Sequence, residues 1–199
     1  MPHPELIVFD LDFTLWDCNG TWCDCLRPPF CVEDNDVIDG SGRWIRLYAD
    51  VANILDDCDA ESIPMALASR TEQPAWAREL IDLLGVAHRF EIAEIYPTSK
   101  LKHFAALQQV SGIRSDRMLF FDDEIRNIRE VSTLGTTCIH VENGLTRDEF
   151  QHGLQQFQQH YTGNSMVQPV EGWLRSSAAS PQMQLSPRQN DACLSILND

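Results

Sequence analysis

The sequence predicts a doubly wound α/β fold with a mainly parallel sheet, and two patterns carry this prediction. Short apolar runs of strand length recur along the chain, separated by segments whose apolar residues repeat at helical spacing. Strands that are apolar at nearly every position are typical of parallel sheets covered on both faces. Alternation of strands with helices is typical of doubly wound sheets. With 199 residues and a 43% hydrophobic share, the chain can bury one sizeable core.

Five strands are predicted in order. They are Leu6–Phe9, Ile63–Ala68, Phe90–Ile95, Met118–Phe121 and Thr137–Val141. Each is short and bounded by polar or turn-forming residues, as buried strands are.

Four helices are predicted around these strands. Apolar residues three or four positions apart define one face of each helix, and these faces begin at Trp76, Leu101, Ile125 and Phe150. The first three helices are followed by Gly85, Gly112 and Gly135, and glycine commonly ends a helix because it adopts the left-handed conformation.

Two segments interrupt the alternation. Residues from about 16 to 46 are rich in Cys, Pro, Gly and Asp, and they predict a small β-flap with a turn at Asp39–Gly42. Residues 162–199 are polar and rich in Gln, Ser and Pro, which predicts a disordered tail. We therefore expect a folded domain over residues 1–161, without a large cap domain, followed by this tail.

Charge and composition exclude several classes of protein. The net charge of −15 argues against nucleic acid or an anionic membrane surface as the main partner. No apolar run approaches the ~20 residues of a transmembrane helix, and the chain starts without a signal-peptide pattern. Seven cysteines are an odd number, which favours reduced thiols over a disulfide framework. We expect a cytoplasmic monomer.

The first strand runs into two aspartates, in the sequence VFDLDFTLWD. Side chains two positions apart in an extended chain lie on the same face, so Asp10 and Asp12 are expected close together. Two neighbouring carboxylates repel each other unless a cation or a proton lies between them. This pair therefore indicates a metal ion.

Polar residues also follow the later strands, at the edge of the sheet where an α/β protein binds its ligand. Ser69, Arg70 and Thr71 follow the second strand, Lys100 comes shortly after the third, and Asp122-Asp123 end the fourth. Each has an ordinary alternative, because serine, threonine and aspartate cap helices and most lysines are solvated. Together they are harder to explain structurally.

The combination indicates a magnesium-assisted phosphate chemistry. Carboxylate oxygens without nearby histidine favour Mg²⁺ over zinc or copper. A hydroxyl, a lysine and an arginine on the same edge supply the donors and positive charge that a phosphate needs. A carboxylate nucleophile is also a known route to a covalent phospho-enzyme.

At this point the chain resembles the haloacid dehalogenase superfamily, through DLDFT, SRT, the lysine and FFDDE in that order. It is similar in particular to the eukaryotic-type magnesium-dependent phosphatases with a minimal cap, which share FDLD, TLW, PPF, RLY, ASRT, EIYP and CIH. These phosphatases also have a motif like FFDDE followed by RN, which reads FFDDEIRN in this chain. The resemblance spans roughly residues 5 to 160 and implies a Rossmann-like haloacid dehalogenase fold.

The resemblance implies a role for each residue. Asp10 would attack phosphorus and become an aspartyl phosphate, while Asp12 would protonate the leaving oxygen and later activate water. Mg²⁺ would be held by the Asp10 carboxylate, the Asp12 backbone carbonyl and Asp123, with Asp122 behind them. Further roles concern the substrate: Ser69 and Lys100 would bind the phosphoryl group, Arg70 the rest of the substrate, and Thr14 would hydrogen-bond near the nucleophile.

Other functions stay open from the sequence. A phosphotransferase or phosphomutase of the same superfamily would share these motifs, although it usually carries a larger cap that excludes water. A receiver-like signalling module or a non-catalytic phospho-ligand-binding protein would also need an acidic cluster. The substrates implied by the resemblance are phosphotyrosine-like groups, on small molecules or phosphoproteins, and sugar phosphates, including those linked to amines.

The flap carries thiols that the resemblance does not explain. Cys18, Cys23, Cys25 and Cys31 could form a structural zinc site, but their spacing lacks the usual two-residue knuckle. Unrelated reduced thiols are the simpler interpretation. A redox-sensitive flap is the alternative, because three thiols lie close in sequence to Asp10.

Overall fold

A computed structural model of the chain describes residues 3–34 and 36–165, with side chains as far as Tyr161. The chain divides into two units, Met1–Val167 and Gln168–Asp199, and the described residues belong to the first. Most of the tail predicted for residues 162–199 lies outside the described residues. Among the described helices, none is long and apolar enough to cross a membrane.

The described chain contains nine strands and five α-helices. In chain order they are β1 (Leu6–Phe9), β2 (Trp16–Asp17), β3 (Cys31–Glu33), β4 (Asp36–Ile38), β5 (Trp44–Leu47), α1 (Val51–Ala60), β6 (Met65–Ser69), α2 (Pro74–Leu83), β7 (Ile92–Ile95), α3 (Lys100–Ser111), β8 (Met118–Asp122), α4 (Ile125–Ser132), β9 (Thr137–His140) and α5 (Arg147–Ser165).

The main sheet has five parallel strands in the order β7-β6-β1-β8-β9. The chain builds outward from β1 through β6 to β7, and then crosses to the other side of β1 to form β8 and β9. The direction of building reverses beside β1, and ligands bind at the carboxyl ends of the strands at such a reversal. The predicted doubly wound α/β fold is confirmed.

Helices cover both faces of this sheet because alternate strand residues face opposite sides. In β1, Ile7 and Phe9 pack into a core cluster that includes residues of α1, α2 and α5. Leu6 and Val8 pack into a second cluster with residues of α3 and α4. The apolar runs that form the three central strands, β1, β6 and β8, are therefore buried on both faces, as predicted, whereas the edge strand β7 is largely half-buried.

The predicted elements match the structure except at a few places. The third strand is shorter than predicted and begins at Ile92, because Ala87–Arg89 form a 3-10 helix before it. Helix α1 was not predicted, although its buried residues Val51, Ile54, Leu55 and Cys58 follow helical spacing. The final helix continues to Ser165, past the boundary predicted at residue 161.

The flap is a small sheet of its own. Its strands have the order β2-β5-β4-β3, with every neighbouring pair antiparallel. The predicted turn lies between β4 and β5, where the Asp39 N–H donates to the Arg43 carbonyl at 2.8 Å. A short 3-10 helix, Cys23–Cys25, lies between β2 and β3.

Asp39 organises this turn through its buried carboxylate. It accepts backbone N–H bonds from Arg27 at 2.9 Å, Ser41 at 2.8 Å and Arg43 at 2.9 Å. Burial raises the pKa of Asp39, but these bonds and the Ser41 hydroxyl outweigh burial and lower the pKa to about 2. The ionised carboxylate therefore stabilises the folded flap.

We expect Asp39→Asn to lower the free energy of unfolding by about 2 kcal/mol, because a charged acceptor of several N–H groups is lost. Urea unfolding at neutral pH measures this change. Glu33→Gln is the matched control, since it removes the same charge from an exposed position of the flap. Equal stability of the two variants would contradict the role of Asp39.

The same carboxylate gives a pH dependence of defined sign. Its pKa is lower in the folded protein than the ~3.9 of an unfolded aspartate, so its stabilisation is fully present above that value. The stabilisation is lost as the pH falls towards about 2. The stability difference between wild type and Asp39→Asn should therefore shrink over this range.

Candidate active site

The chain turns sharply as soon as it leaves the central strand. Asp10 donates its N–H to the Phe121 carbonyl at 3.0 Å, which continues the pairing with β8. The Leu11 carbonyl then accepts N–H bonds from Thr14, Leu15 and Trp16, at 3.2, 2.9 and 3.2 Å. The chain therefore leaves the extended conformation after Asp10 and enters the flap.

Lys100, the first residue of α3, lies fully buried among acceptors from three strand ends. Its Nζ atom is 2.5 Å from Asp10 Oδ1 and 3.0 Å from Asp122 Oδ2, and it donates to the Ala68 carbonyl. Burial lowers the pKa of Lys100, but Asp10 and Asp122 outweigh burial and raise it. The ammonium is therefore charged, and it ties β1 to β8 and to the end of β6.

Burial also raises the pKa of Asp10 well above its ordinary value. Lys100 lowers this pKa, whereas the neighbouring Asp122 raises it. A divalent cation beside Asp10 would favour its ionised form.

The two aspartates at the end of β8, Asp122 and Asp123, lie in different environments. Asp122 is fully buried, and its oxygens accept bonds from the Glu124 N–H at 2.8 Å and from Asn127 Nδ2 at 2.9 and 3.0 Å. Asp123 lines the cavity described below. Burial, followed by Asp122 and Glu124, raises the pKa of Asp123 to about 7.

The acidic cluster has the chemistry of a magnesium site. Asp10, Asp122 and Asp123 each offer a carboxylate oxygen, and these oxygens lie within 4.8 Å of one another. All three are hard oxygen ligands at the carboxyl end of the sheet, which is the donor set that Mg²⁺ prefers. The residues therefore fit the ion.

Asp12 is held apart from this cluster. Its Oδ1 atom accepts bonds from the Trp16 indole Nε1 at 2.7 Å and the Cys23 backbone N–H at 3.0 Å. Burial is the main reason that the pKa of Asp12 rises to about 6, against a lowering by these two donors. The expectation that the Asp10 and Asp12 side chains flank one cation is wrong, because the turn after Asp10 carries the Asp12 carboxylate to the flap.

A cavity of about 220 Å³ opens between the sheet and the flap. Most of the predicted site residues line it: Asp10, Asp12, Ser69, Arg70, Lys100 and Asp123. The remaining lining residues are Trp22, Asp24, Thr71, Glu72, Glu124, Arg126 and Asn127. Asp122 lies behind this wall, in contact with Lys100.

Thr14 departs from the prediction. It is fully buried and does not line the cavity, and its hydroxyl has no hydrogen-bond partner among the described residues. The predicted hydrogen bond near the nucleophile is therefore not formed. The Thr14 carbonyl instead accepts the Leu145 N–H at 2.9 Å, so this residue fastens the turn to the loop after β9.

Asn127 lines the cavity, although no role was predicted for it from the sequence. Besides binding Asp122, its Oδ1 atom accepts from Arg70 Nη1 at 3.0 Å. Arg70 Nη1 also lies 3.5 Å from Glu124 Oε2. The only sequence signal was its place in FFDDEIRN, in the first turn of α4, from which a side chain can reach back to the preceding strand end.

The flap cysteines are free thiols in two different environments, and they do not form the zinc site considered from the sequence. Cys18 and Cys23 are buried, and burial raises the pKa of both thiols, so they are not reactive thiolates. Cys25 and Cys31 are exposed. Within the described residues the one metal-capable group of side chains contains no cysteine. The buried thiols are core residues.

Comparison with known proteins places this geometry in a family. A family model described as acid phosphatase matches residues 2–160. The chain belongs to this acid phosphatase family. The expected resemblance to eukaryotic-type phosphatases of the haloacid dehalogenase superfamily is confirmed.

Two relatives illustrate this membership, and two solved structures share the fold. Magnesium-dependent phosphatase 1 of Homo sapiens is 44% identical over 162 residues, covering 80% of this chain and 90% of the relative. A HAD-like hydrolase superfamily protein of Schizosaccharomyces pombe is 37% identical over 149 residues, covering 68% of this chain and 84% of the relative. Among solved structures, a HAD-superfamily hydrolase from Ehrlichia chaffeensis has a TM-score of 0.56 at 15% identity, covering 81% of this chain and 99% of its own. A phosphatase-domain structure from Bacteroides fragilis, complexed with Mg, has a TM-score of 0.51 at 14% identity, covering 80% of this chain and 40% of its own.

The acid phosphatase site gives a prediction about Lys100. We expect Lys100→Met to lower the free energy of unfolding by about 3 kcal/mol in the presence of a chelator, because two buried carboxylates lose their partner. Urea unfolding measures this loss. Lys102→Met is the matched control, since Lys102 is an exposed lysine of the same helix. If both variants unfolded alike, Lys100 would not hold the strand ends together.

Proposed function

We propose that this magnesium-dependent phosphatase hydrolyses phosphomonoesters through an aspartyl phosphate formed on Asp10. One observation carries the proposal: two aspartates at the end of the central strand have opposite surroundings. Asp10 lies 2.5 Å from a buried ammonium, whereas Asp12 is held by the neutral N–H groups of Trp16 and Cys23. Such a difference between paired carboxyl groups separates a nucleophile from an acid and base.

In the first half of the reaction, an Asp10 oxygen forms a bond to phosphorus while the bond from phosphorus to the leaving oxygen breaks. Asp12 supplies the proton that the leaving oxygen takes up. The elevated pKa of Asp12, about 6, lets its carboxyl hold a proton close to neutral pH. The first product leaves as an alcohol or a phenol.

In the second half, water attacks phosphorus and the bond between phosphorus and the Asp10 oxygen breaks. Asp12, now ionised, takes the proton from this water, which restores both aspartates and releases inorganic phosphate. The open cavity supports water as the acceptor.

Magnesium would be held by Asp10, Asp123 and the Asp12 backbone carbonyl, with Asp122 behind them. Support for Asp123 over Asp122 comes from the contacts, because both Asp122 oxygens already accept bonds from Asn127, Glu124 or Lys100. The ion would neutralise the charge on the phosphoryl group and on the nucleophile.

The other cavity residues would bind the substrate. Lys100 reaches Asp10 and would stabilise the phosphoryl oxygens as charge shifts onto them. Ser69 lies at the same edge of the sheet and would donate its hydroxyl to a phosphoryl oxygen. Arg70 lies 3.0 Å from Asn127 and faces the cavity, where it would contact the substrate beyond the phosphate.

Phosphotyrosine-like groups and sugar phosphates, including amine-linked ones, are the proposed substrates. Trp22 supports this choice because it lines the cavity with 46% of its surface exposed and packs edge-on against Phe13. An exposed indole offers a flat apolar face to an aromatic or sugar ring.

The structure gives no support to the alternatives. No cap domain interrupts the described residues between β1 and α1, where only the flap lies, so a phosphomutase would lack its water-excluding cover. In a receiver, the phospho-accepting aspartate follows the third strand. Here β7 ends at Ile95 and is followed by Tyr96 and Pro97.

The proposed intermediate can be detected chemically. We expect that Asp12→Asn, mixed with Mg²⁺ and dinitrophenyl phosphate, accumulates the intermediate, because this leaving group needs no proton while hydrolysis still needs the base. Borohydride reduces an acyl phosphate to an alcohol, which converts the aspartate to homoserine. Peptide mass spectrometry should therefore find homoserine at residue 10.

Two controls accompany this measurement. Asp12→Asn with a chelator and Asp10→Asn with Mg²⁺ should both lack homoserine. If the wild type turned over p-nitrophenyl phosphate only with Mg²⁺, yet Asp12→Asn gave no homoserine, water would attack phosphorus directly and the proposed intermediate would be wrong.

Trp22 gives a prediction about substrate choice. We expect Trp22→Ala to lower kcat/KM for phosphotyrosine and for a sugar phosphate by about threefold to tenfold, the equivalent of one lost ring contact. For glycerol phosphate, which has no ring, kcat/KM should stay within about twofold of wild type because no such contact is lost. Equal losses on all three substrates would show that Trp22 packs the flap and does not contact the substrate.

A further inference from the structure

We propose that Trp16 is a positioning residue for Asp12, acting together with the backbone N–H of Cys23. These two donors hold Oδ1 of Asp12, so that Oδ2 is the oxygen that carries the proton to and from the reaction. This inference rests on the proposed acid and base role of Asp12. It adds a device that orients the carboxyl without the closure of a cap.

The contacts of Trp16 make its indole a fixed donor. Trp16 is 1% exposed and lies in β2, which pairs with Leu47 of β5. Its Nε1 atom is 2.7 Å from Asp12 Oδ1, across the turn that the Leu11 carbonyl organises. A ring buried on this scale has little freedom to move away from the carboxylate.

The chemistry of the two donors selects one oxygen. An indole N–H and a backbone N–H can donate but cannot accept a hydrogen bond. A proton on Oδ1 would compete with both donors, whereas a proton on Oδ2 leaves both bonds intact. The carboxyl can therefore gain and lose its proton at Oδ2 without reorienting, and Oδ1 accepts throughout.

The second donor depends on the attachment of the flap. Cys23 begins the 3-10 helix Cys23–Cys25, and Asp24 in this helix accepts a bond from the Thr71 hydroxyl. Asp24 also accepts the Glu72 N–H at 3.0 Å. The loop after β6 therefore holds the flap helix, and with it the donor to Asp12.

Proton delivery matters most for a poor leaving group. When phosphorus separates from a phenol oxygen, that oxygen needs the Asp12 proton more as the phenol becomes less acidic. A dinitrophenolate leaves without it. A misplaced Asp12 therefore slows the poor leaving group selectively, whereas a general loss of structure slows all leaving groups alike.

The test compares kcat/KM for phenyl, p-nitrophenyl and dinitrophenyl phosphate, because kcat/KM reports the step in which the leaving group departs. We expect Trp16→Phe to lower kcat/KM on phenyl phosphate by on the order of tenfold to a hundredfold, part of the full contribution of an acid. On dinitrophenyl phosphate the loss should stay below about threefold, because no proton is needed there. Trp76→Phe is the matched control, since Trp76 packs on Phe30 in the flap.

A second variant keeps the test valid if Trp16→Phe folds poorly. Benzothienylalanine at position 16 has the shape of tryptophan with sulfur in place of the N–H, so it removes the donor and preserves the packing. It should give the same selective loss on phenyl phosphate. A uniform loss over the three substrates, or none, with either replacement would overturn the inference.

Asp12→Asn separates this inference from the function on which it rests. If Asp12→Asn lowers kcat/KM selectively for phenyl phosphate while the Trp16 variants do not, Asp12 is the acid and Trp16 does not position it. If Asp12→Asn itself shows no selectivity, Asp12 is not the acid, and both the proposed role and the inference are wrong.

Discussion

The buried ammonium of Lys100 is the constraint on which the site depends. The parallel strands β1 and β8 end at the same level, since Phe9 pairs with Phe121. Asp10 and Asp122, which follow these two residues, therefore lie side by side. Two carboxylates in this position repel each other, and burial makes their charges costly. Lys100 contacts both, at 2.5 and 3.0 Å, and so holds the Asp10 and Asp122 carboxylates in one arrangement.

This arrangement also explains why two aspartates of one motif differ. The Lys100 ammonium attracts the Asp10 carboxylate towards the sheet. The turn around the Leu11 carbonyl directs the following residues towards the flap. Asp12 then meets only uncharged donors, and burial raises its pKa to about 6. A single turn after a strand therefore produces one carboxylate beside a cation and another that can hold a proton.

The sequence predicted the parts of the molecule that follow from local patterns. Apolar runs identified the strands of the main sheet, and polar residues after those runs identified most of the cavity. Contacts between distant segments left no such pattern: Asp39 binding the Arg27 N–H and Asn127 binding Arg70 depend on how the chain returns on itself. The hydrogen bond predicted for the Thr14 side chain was wrong for the same reason, because the position of Thr14 depends on its contact with the distant loop at Leu145. Motif spacing indicates which residues meet more reliably than it indicates which atoms bond.

The flap differs from a cap in how it reaches the Asp12 carboxyl. A cap can orient the acid by closing over the substrate, whereas the described chain has only a small sheet between β1 and α1. That sheet reaches Asp12 through Trp16 and Cys23, and Asp24 fastens it to Thr71. Because these contacts hold the Asp12 carboxylate without any closure, an acid at this position would be oriented while the cavity stays open. An open cavity would leave the choice of substrate to lining residues such as Trp22 and Arg126, and it would admit a phosphate group carried on a larger molecule.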